Sequence, residues 1–476
     1  MRLSFRDPDG FVFRSQERIF RCVFAHAAQN LRAFLPSGIA TTWMSESVLA
    51  ATAVISVNSG RDLIPELHQE LPRHAVILEH EPIPFPSYPY EWPPEMLHAA
   101  GKLTLRMARE SLDDGFGLND ATPYNIMFDG PRPVFIDILS FERRDSLDTL
   151  WRPYAQFVRS FVYPLLAARF CGVRIDELLL VHRDGIEPER MLSMLRGWRR
   201  WRPSFLTAVT IPALLSRKEL SRKELPRKDR DAGTAVVQAK DAEEAKFVMA
   251  RRLRKADRLL GEVPSRPQAL EYMKSGRIYS ETEWDEKQRI VTQTLERYRP
   301  VNLLDVGCNI GHFSILAARM GARVVAIDHD PDAVGVAWKT AVTEQLSILP
   351  LVVNIARPPG ACGWSNEEFP GFLDRARGKF DCVLMLALLH HLLVNERVPL
   401  DSIFDLAARL TTRSLIVEYI DPADPQFRGI ARGRDALHRD LTTDSFEHAA
   451  QRLFEIADAR AVTPTRRIYT LEKRRS

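Results

Sequence analysis

From about residue 300 onward, short apolar runs alternate with segments of helical period. The runs at 302–306, 323–328, 349–354, 380–386 and 414–419 are rich in Val, Ile and Leu and show little polar alternation. Such runs suit strands covered on both faces of a parallel sheet. Between them, 312–320, 331–345, 366–376 and 400–410 repeat apolar residues every three or four positions, which predicts helices. This alternation predicts a mainly parallel sheet with helices on both faces. Beyond a helical segment at 442–452, two strand-like runs, 453–457 and 466–471, are placed to form an antiparallel pair at the sheet edge.

The first 214 residues are less regular. Residues 95–112 have the period of an amphipathic helix, 133–139 read as a buried strand, and 150–170 and 186–201 read as helical. The proline-rich stretch 82–94 must be extended or turned, because proline fixes φ and has no N–H to donate. Trp198, Arg199, Arg200 and Trp201 stand together, and core packing or a helix surface accounts for them. Ser-Arg-Lys-Glu-Leu at 216–220 repeats at 221–225 and decays into Pro226–Arg230. A solvated linker or helical extension explains that repeat, with a basic docking patch as the alternative. Arg251, Arg252, Arg254, Lys255 and Arg258 continue the basic character on an expected helix. The expected division is an accessory domain over 1–214, a charged linker or helical region over 215–265, and the alternating domain over 266–476.

Composition narrows the function classes. A chain of 476 residues has room for two or three domains, and 45% hydrophobic with 27% charged residues is enough for real cores. A net charge of +4 gives no reason to invoke nucleic acid. The five cysteines are scattered without a Cys-x-x-Cys pair, which points away from zinc and disulfides and towards a cytoplasmic setting. The apolar runs near 161–171 and 382–394 are too short for a membrane span or are interrupted by His390 and His391, and the N-terminus has no apolar secretory core.

The richest chemistry lies at the end of the first run. Asp305-Val-Gly-Cys-Asn-Ile-Gly311 is an Asp-x-Gly-x-x-x-Gly turn between an expected strand and helix, and Val324-Val325-Ala326-Ile327 ends in Asp328. A strand, glycine turn, helix, strand and acid in this order hold adenosine-containing cofactors. Asn309 and His312 occupy the second and third glycine positions of a dinucleotide fingerprint, so the close backbone approach that a pyrophosphate needs is missing. With Phe-Asp-Cys-Val-Leu-Met-Leu-Ala-Leu-Leu-His-His-Leu and Leu-Ile-Val-Glu-Tyr following in order, residues from about 270 to 475 resemble a class I S-adenosylmethionine-dependent methyltransferase.

That resemblance implies an enzyme of the EC 2.1.1 class with S-adenosyl-L-methionine as cofactor. It implies Asp305 near the cofactor's amino-acid part, Gly307, Asn309 and Gly311 lining the loop, Asp328 on the ribose hydroxyls and Asn354 near adenine. Asn354 also reads as a plain turn residue. His390 and His391 follow the fourth strand, where a histidine can take a proton from the acceptor, with His390 favoured. A helix-start histidine bonded to backbone is the alternative. Glu418, with Tyr419 beside it, ends the fifth strand and is a further catalytic candidate, packing or capping being the other explanation. Tyr272, Tyr279 and Trp284 are placed to cover the cofactor or acceptor, or to pack. No metal is expected in this half.

Residues 118–137 contain Asp120, Asn125 and Asp137 around Thr-Pro-Tyr-Asn and a strand. They resemble the catalytic segment of aminoglycoside-phosphotransferase-type kinases, which would make Asp120 a base and Asn125 and Asp137 magnesium ligands. The chain departs from that pattern: Leu118-Asn119 precede the Asp, Asp-Ile-Leu closes the motif, and no glycine-rich loop or strand lysine stands upstream. The expected architecture is therefore a Rossmann-like sheet of seven strands, mainly parallel with the last antiparallel, preceded by an α+β kinase-like accessory domain without phosphoryl transfer. The expected function is methyl transfer to an O or N nucleophile. An Asn-Pro-Pro-Tyr motif is missing after the fourth strand, which favours a small-molecule, saccharide or lipid-linked acceptor over a nucleic acid. A bifunctional methyltransferase and kinase, and a non-enzymatic binding scaffold, are the alternatives.

Overall fold

A computed structural model describes residues 3–4, 6–55, 76–195, 197–202, 205–215, 239–263, 279–433 and 438–474. The repeat at 216–230 and Tyr272 lie outside them. The chain divides into two compact units, Met1–Phe128 with Pro133–Pro264, and Asp129–Arg132 with Ser265–Ser476.

The first unit opens with an antiparallel sheet of β1 (Gly10–Ser15), β2 (Arg18–Val23), β3 (Thr52–Ile55) and β4 (Val76–His80), in the order β1-β2-β4-β3. Phe11, Phe13, Phe20, Cys22 and Ile77 form an apolar cluster there. The helix Pro94–Glu110 begins with proline at its first turn, where a missing N–H costs nothing. It buries Met96, Leu97, Ala100, Leu103 and Met107. Gly101 lets a second helix, Ala242–Leu260, approach: a Cβ on Gly101 would lie 3.1 Å from Leu260. Lys102 pairs with Asp257 at 2.6 Å, and the His98 ring bonds the Gly261 carbonyl at 2.7 Å. This basic helix therefore packs within the first unit.

Two short ribbons follow the helix Pro94–Glu110. In one, β5 (Phe116–Leu118) pairs with β8 (Phe141–Arg143); in the other, β6 (Ile126–Asp129) pairs with β7 (Arg132–Phe135). The strand expected over 133–139 stops at Phe135, and Ile138–Ser140 form a 3-10 turn. Asp137, just ahead of the turn, is drawn into side-chain bonds with Arg21 and Ser140 instead of continuing a ladder. The helix over 150–170 contains a π-helical turn at Val158–Val162, which ends two residues before Pro164. Such a turn relieves the clash of the proline ring with the carbonyl four residues back. The helix expected over 186–201 divides into Pro188–Met194 and a 3-10 segment Gly197–Trp201, with Gly197 in the left-handed region.

The second unit is a seven-stranded mixed sheet. Its strands are β9 (Asn302–Val306), β10 (Arg323–Asp328), β11 (Ile348–Val352), β12 (Phe380–Met385), β13 (Thr411–Ile420), β14 (Phe454–Thr463) and β15 (Arg466–Lys473). Their order is β11-β10-β9-β12-β13-β15-β14. Neighbours from β11 to β13 pair in parallel, and β15 runs antiparallel to both β13 and β14. The order turns back at β9, so β9, β10 and β12 end around one crevice, where open α/β sheets place ligands. At one edge β11 contains Pro350; at the other, β14 pairs with β15 through two irregularities, near Asp458 and near Val462. The helix Glu281–Tyr298 begins with a capping box, Ser280 and Glu283 each bonding the other's backbone N–H. The helix expected over 366–376 covers only Phe372–Ala376, because Pro370 and Gly371 hold the chain extended before it.

Candidate active site

β9 ends in Asp305-Val306, and the chain turns through Gly307–Gly311 into the helix His312–Arg319. Gly307 (φ +79°) and Gly311 (φ +84°) take left-handed conformations that cost a side chain energy. A Cβ on Gly307 would lie 3.2 Å from Leu388, and one on Gly311 would lie 3.1 Å from Ala337. Asn309 is also left-handed at φ +51°, and its side-chain oxygen accepts the Ile310 N–H at 2.7 Å. The loop folds back on β10: the Gly307 and Cys308 amides donate to the Ile327 carbonyl, and the Asn309 amide donates to the Asp328 carboxylate at 2.8 Å.

These elements border a cleft of about 1170 Å³ lined by Asp305, Gly307, Asn309, Asp328, Asn354, Leu388, His391 and Gln426, with Tyr279, Trp284 and Lys287 from the helix that opens the unit. Its other acidic side chains are Glu281, Asp285, Asp330, Asp332 and Glu396, and among the described residues no arginine lines it. Asp305 is 3% exposed and bonded by the Ser314 hydroxyl at 2.6 Å. Burial pushes its pKa up to about 6, and the nearby Asp328 charge adds to the rise. Asp328 is also buried, but bonds from His329 and from the Asp330 and Asn309 amides outweigh burial and hold it below the usual carboxylate range. An acidic cleft in which burial outweighs the help that Ser314 and Lys287 give the Asp305 charge suits a cationic ligand and opposes a phosphate.

The two histidines separate. His391 lines the cleft, with Nδ1 at 3.2 Å from the Asn395 amide. His390 does not line it; it is 1% exposed, neither ring nitrogen has a hydrogen-bond partner among the described residues, and burial depresses its pKa to about 3. Asn354 lines the cleft while accepting the Ala356 N–H at 2.9 Å, so it is at once a turn residue and a wall.

Glu418 is fully buried and does not line the cleft. It accepts from Lys287 at 2.6 Å, from the Ala387 amide at 2.8 Å and from the Tyr279 hydroxyl. Arg466 donates to Tyr279 at 2.7 Å and grips Asp424 with two nitrogens at 2.8 and 2.9 Å, and reaches Gln426 at 2.8 Å. Burial opposes the Glu418 charge, but Lys287, Tyr279 and Arg466 outweigh it and keep the group ionised. Glu418 thus anchors the Ala387 turn, itself at φ +51°, at the mouth of β12. Lys287 and Arg466 were not singled out from sequence. Lys287 carried a signal, because it falls on the same helical stripe as Ile290, Val291, Thr294, Leu295 and Tyr298, all buried.

In the first unit, Asp120, Asn125 and Asp137 come together. Asn125 bonds the Asp120 carbonyl at 3.4 Å and Ser140 at 3.1 Å, Ser140 donates to Asp137 at 2.5 Å, and Gln156 donates to Asp120 at 2.5 Å. The other Asp137 oxygen is taken by the buried guanidinium of Arg21. A divalent cation there would have to displace it, so the residues present do not fit magnesium. Among the described residues no group of three or more His, Cys, Asp and Glu is placed to hold a metal, and no helix is long and apolar enough to cross a membrane.

Residues 270–455 match the family model of a methyltransferase domain. The second unit is a methyltransferase domain. Along nearly its whole length the chain is similar to nodulation protein NoeA of Rhizobium meliloti (strain 1021), at 28% identity over 479 residues, 99% of this chain and 95% of that protein. It is similar at 25% identity over 173 residues to the O-antigen chain terminator bifunctional methyltransferase/kinase WbdD of Escherichia coli, a match covering 33% of this chain and 22% of WbdD. Among solved structures, the N-methyltransferase NodS of Bradyrhizobium japonicum WM9 matches over 41% of this chain and 99% of its own, at 14% identity and a TM-score of 0.31.

Proposed function

We propose that the methyltransferase domain uses S-adenosyl-L-methionine and methylates an oxygen or nitrogen nucleophile of a small or saccharide-type acceptor. The observation that carries the cofactor is the pairing of a left-handed glycine loop with two buried carboxylates, Asp305 and Asp328, in one acidic cleft. Bound there, the cofactor would supply an activated methyl group on a sulfonium centre. Asp305 would face its ammonium, Asp328 its ribose hydroxyls and Asn354 its adenine. Gly307 and Gly311 keep the wall clear of side chains. The domain's own task is alignment, since an activated methyl needs little more than a nucleophile held in line. His391, which lines the cleft as His312 and His329 do, would take the acceptor's proton, while Glu418 holds the Ala387 turn. Trp284 lines the cleft with an aromatic ring, and Glu281, Asp285 and Gln426 line it with hydrogen-bonding groups, a combination suited to a polyhydroxylated ring. The O-antigen in the name of WbdD points the same way.

Arg21 on Asp137 weighs against phosphoryl transfer in the first unit. Calorimetric titration of the full chain with S-adenosylmethionine tests the cofactor. Saturable binding that falls at least tenfold in Asp328→Ala supports the reading, and absence of binding by the intact chain removes it.

A further inference from the structure

The Trp-Arg-Arg-Trp segment is not core. Trp198 is 67% exposed and Trp201 64% exposed, an unusual outlay of large apolar surface. Both stand on the 3-10 segment Gly197–Trp201 of the first unit. Arg202 stacks over the Trp198 ring at 4.9 Å, and Arg199 is tied down by a bond to the Phe170 carbonyl. The next helical turns are joined to this segment, because Thr210 donates to the Arg200 carbonyl at 2.7 Å. On those turns Ile211, Leu214 and Leu215 are also exposed, and their spacing puts them on one helix face. The sequence from Arg190 to Lys218 contains no Asp or Glu, but has arginines at 190, 196, 199, 200, 202 and 217.

Exposed tryptophan, exposed aliphatic side chains and arginine without acid are the composition of a membrane-interface anchor. The rings settle at headgroup level, the aliphatic groups enter the acyl boundary, and the guanidinium groups stay with the phosphates. A nucleic acid would use the rings and the charges but would leave Ile211, Leu214 and Leu215 unpartnered, since bases stack on aromatic faces. A second copy of the chain would have to bring acidic groups to meet these arginines. We infer that the face built by Gly197–Trp201 and the turn bearing Ile211, Leu214 and Leu215 docks on an anionic lipid surface, peripherally and without a span. The charge complementarity of the stretch Arg190–Lys218, which has arginines and no Asp or Glu between Glu189 and Glu219, with such a surface selects this occupant.

Flotation of the full chain with vesicles is the test. Phosphatidylcholine vesicles with phosphatidylglycerol should carry the protein, pure phosphatidylcholine should not, and binding should weaken as salt rises past the screening range. Arg199→Glu/Arg200→Glu/Arg202→Glu should lower partitioning on the order of 100-fold. Because Arg199 and Arg200 also bond backbone, Trp198→Ser/Trp201→Ser, which changes only exposed rings, is the second variant. It should lower partitioning about tenfold or more while leaving S-adenosylmethionine binding unchanged. Failure to bind anionic vesicles at low salt would overturn the inference. So would unchanged binding by the tryptophan variant, a dimer in solution that the variant abolishes, or capture by single-stranded oligonucleotides but not by vesicles.

Discussion

Asp305 is a carboxylate held where a charge is costly until a cation arrives. With its pKa pushed from the ordinary 3.8 to about 6, keeping it ionised at pH 7 costs about 3 kcal/mol relative to a solvated carboxylate. The folded pKa lies above the unfolded one, so the folded chain grips this proton more tightly. The destabilisation is therefore absent below about pH 4, grows between pH 4 and 6, and is complete above 6. Asp305→Asn keeps an acceptor for the Ser314 hydroxyl and carries no charge. At pH 7 the variant without ligand should be more stable than the parent by up to about 3 kcal/mol, and by about half of that at pH 5. The same variant should bind S-adenosylmethionine more weakly, because it offers the cofactor's ammonium no counter-charge. In the parent, binding below pH 6 should release a proton, and affinity should fall about tenfold for each pH step below that point. Urea denaturation at pH 5 and 7, with calorimetry in buffers of different ionisation enthalpy, measures both. If Asp305→Asn lowers stability equally at the two pH values, or if binding at pH 5.5 takes up no buffer heat, the carboxylate does not carry this strain.

The buried pair of Lys287 and Glu418 gives a second test. Lys287→Met takes away the buried ammonium that pairs with Glu418 and leaves it the Tyr279 hydroxyl and the Ala387 amide; it should cost about 3–5 kcal/mol in denaturant unfolding, whereas Lys287→Met/Glu418→Leu should recover much of it. Gly311→Ala forces a side chain into a left-handed residue and against Ala337; it should cost about 1–2 kcal/mol and weaken cofactor binding, read by thermal shift with and without ligand. His391→Gln should lower turnover on a competent acceptor by 10²-fold or more, about the usual contribution of a positioned base, with cofactor affinity unchanged. Equal turnover would take the proton-accepting role from His391.

Much of the sheet is readable in the chain because its strands are parallel and covered on both sides. Apolar runs such as Leu303-Leu304 and Val324–Ile327 leave no competing pattern, and each ends in the acid that marks the cleft. β14 is harder to read. Its residues alternate between buried and exposed positions, and the apolar signal fades after Ile456 although the strand continues to Thr463. β1 and β2 escape notice for a related reason, since Arg14, Arg18 and Arg21 interrupt their apolar pattern and Arg21 is buried by pairing. Which of two adjacent histidines meets the cleft depends on one step of about 100° around a helix, and residues 390 and 391 alone do not specify where that helix starts. Whether Glu418 is catalytic or packed stays open in the sequence because its partners are distant along the chain. Lys287 and Tyr279 lie more than 130 residues earlier, and only the fold brings them to it.

Pro350 sits on the outermost strand of one edge, and the irregular pairing of β14 marks the other. A proline has no N–H to offer a newcomer, and the pairing irregularities, with Asp458 and Arg460 nearby, break the regular spacing that a newcomer would need. Neither border presents an unbroken template to a neighbouring chain. The parallel sheet is slow to assemble because its contacts are distant in sequence, so its borders spend time uncovered during folding. These two features mean that such a delay need not end in strand exchange, and the domain can tolerate crowding that would be hazardous to a sheet with smooth margins.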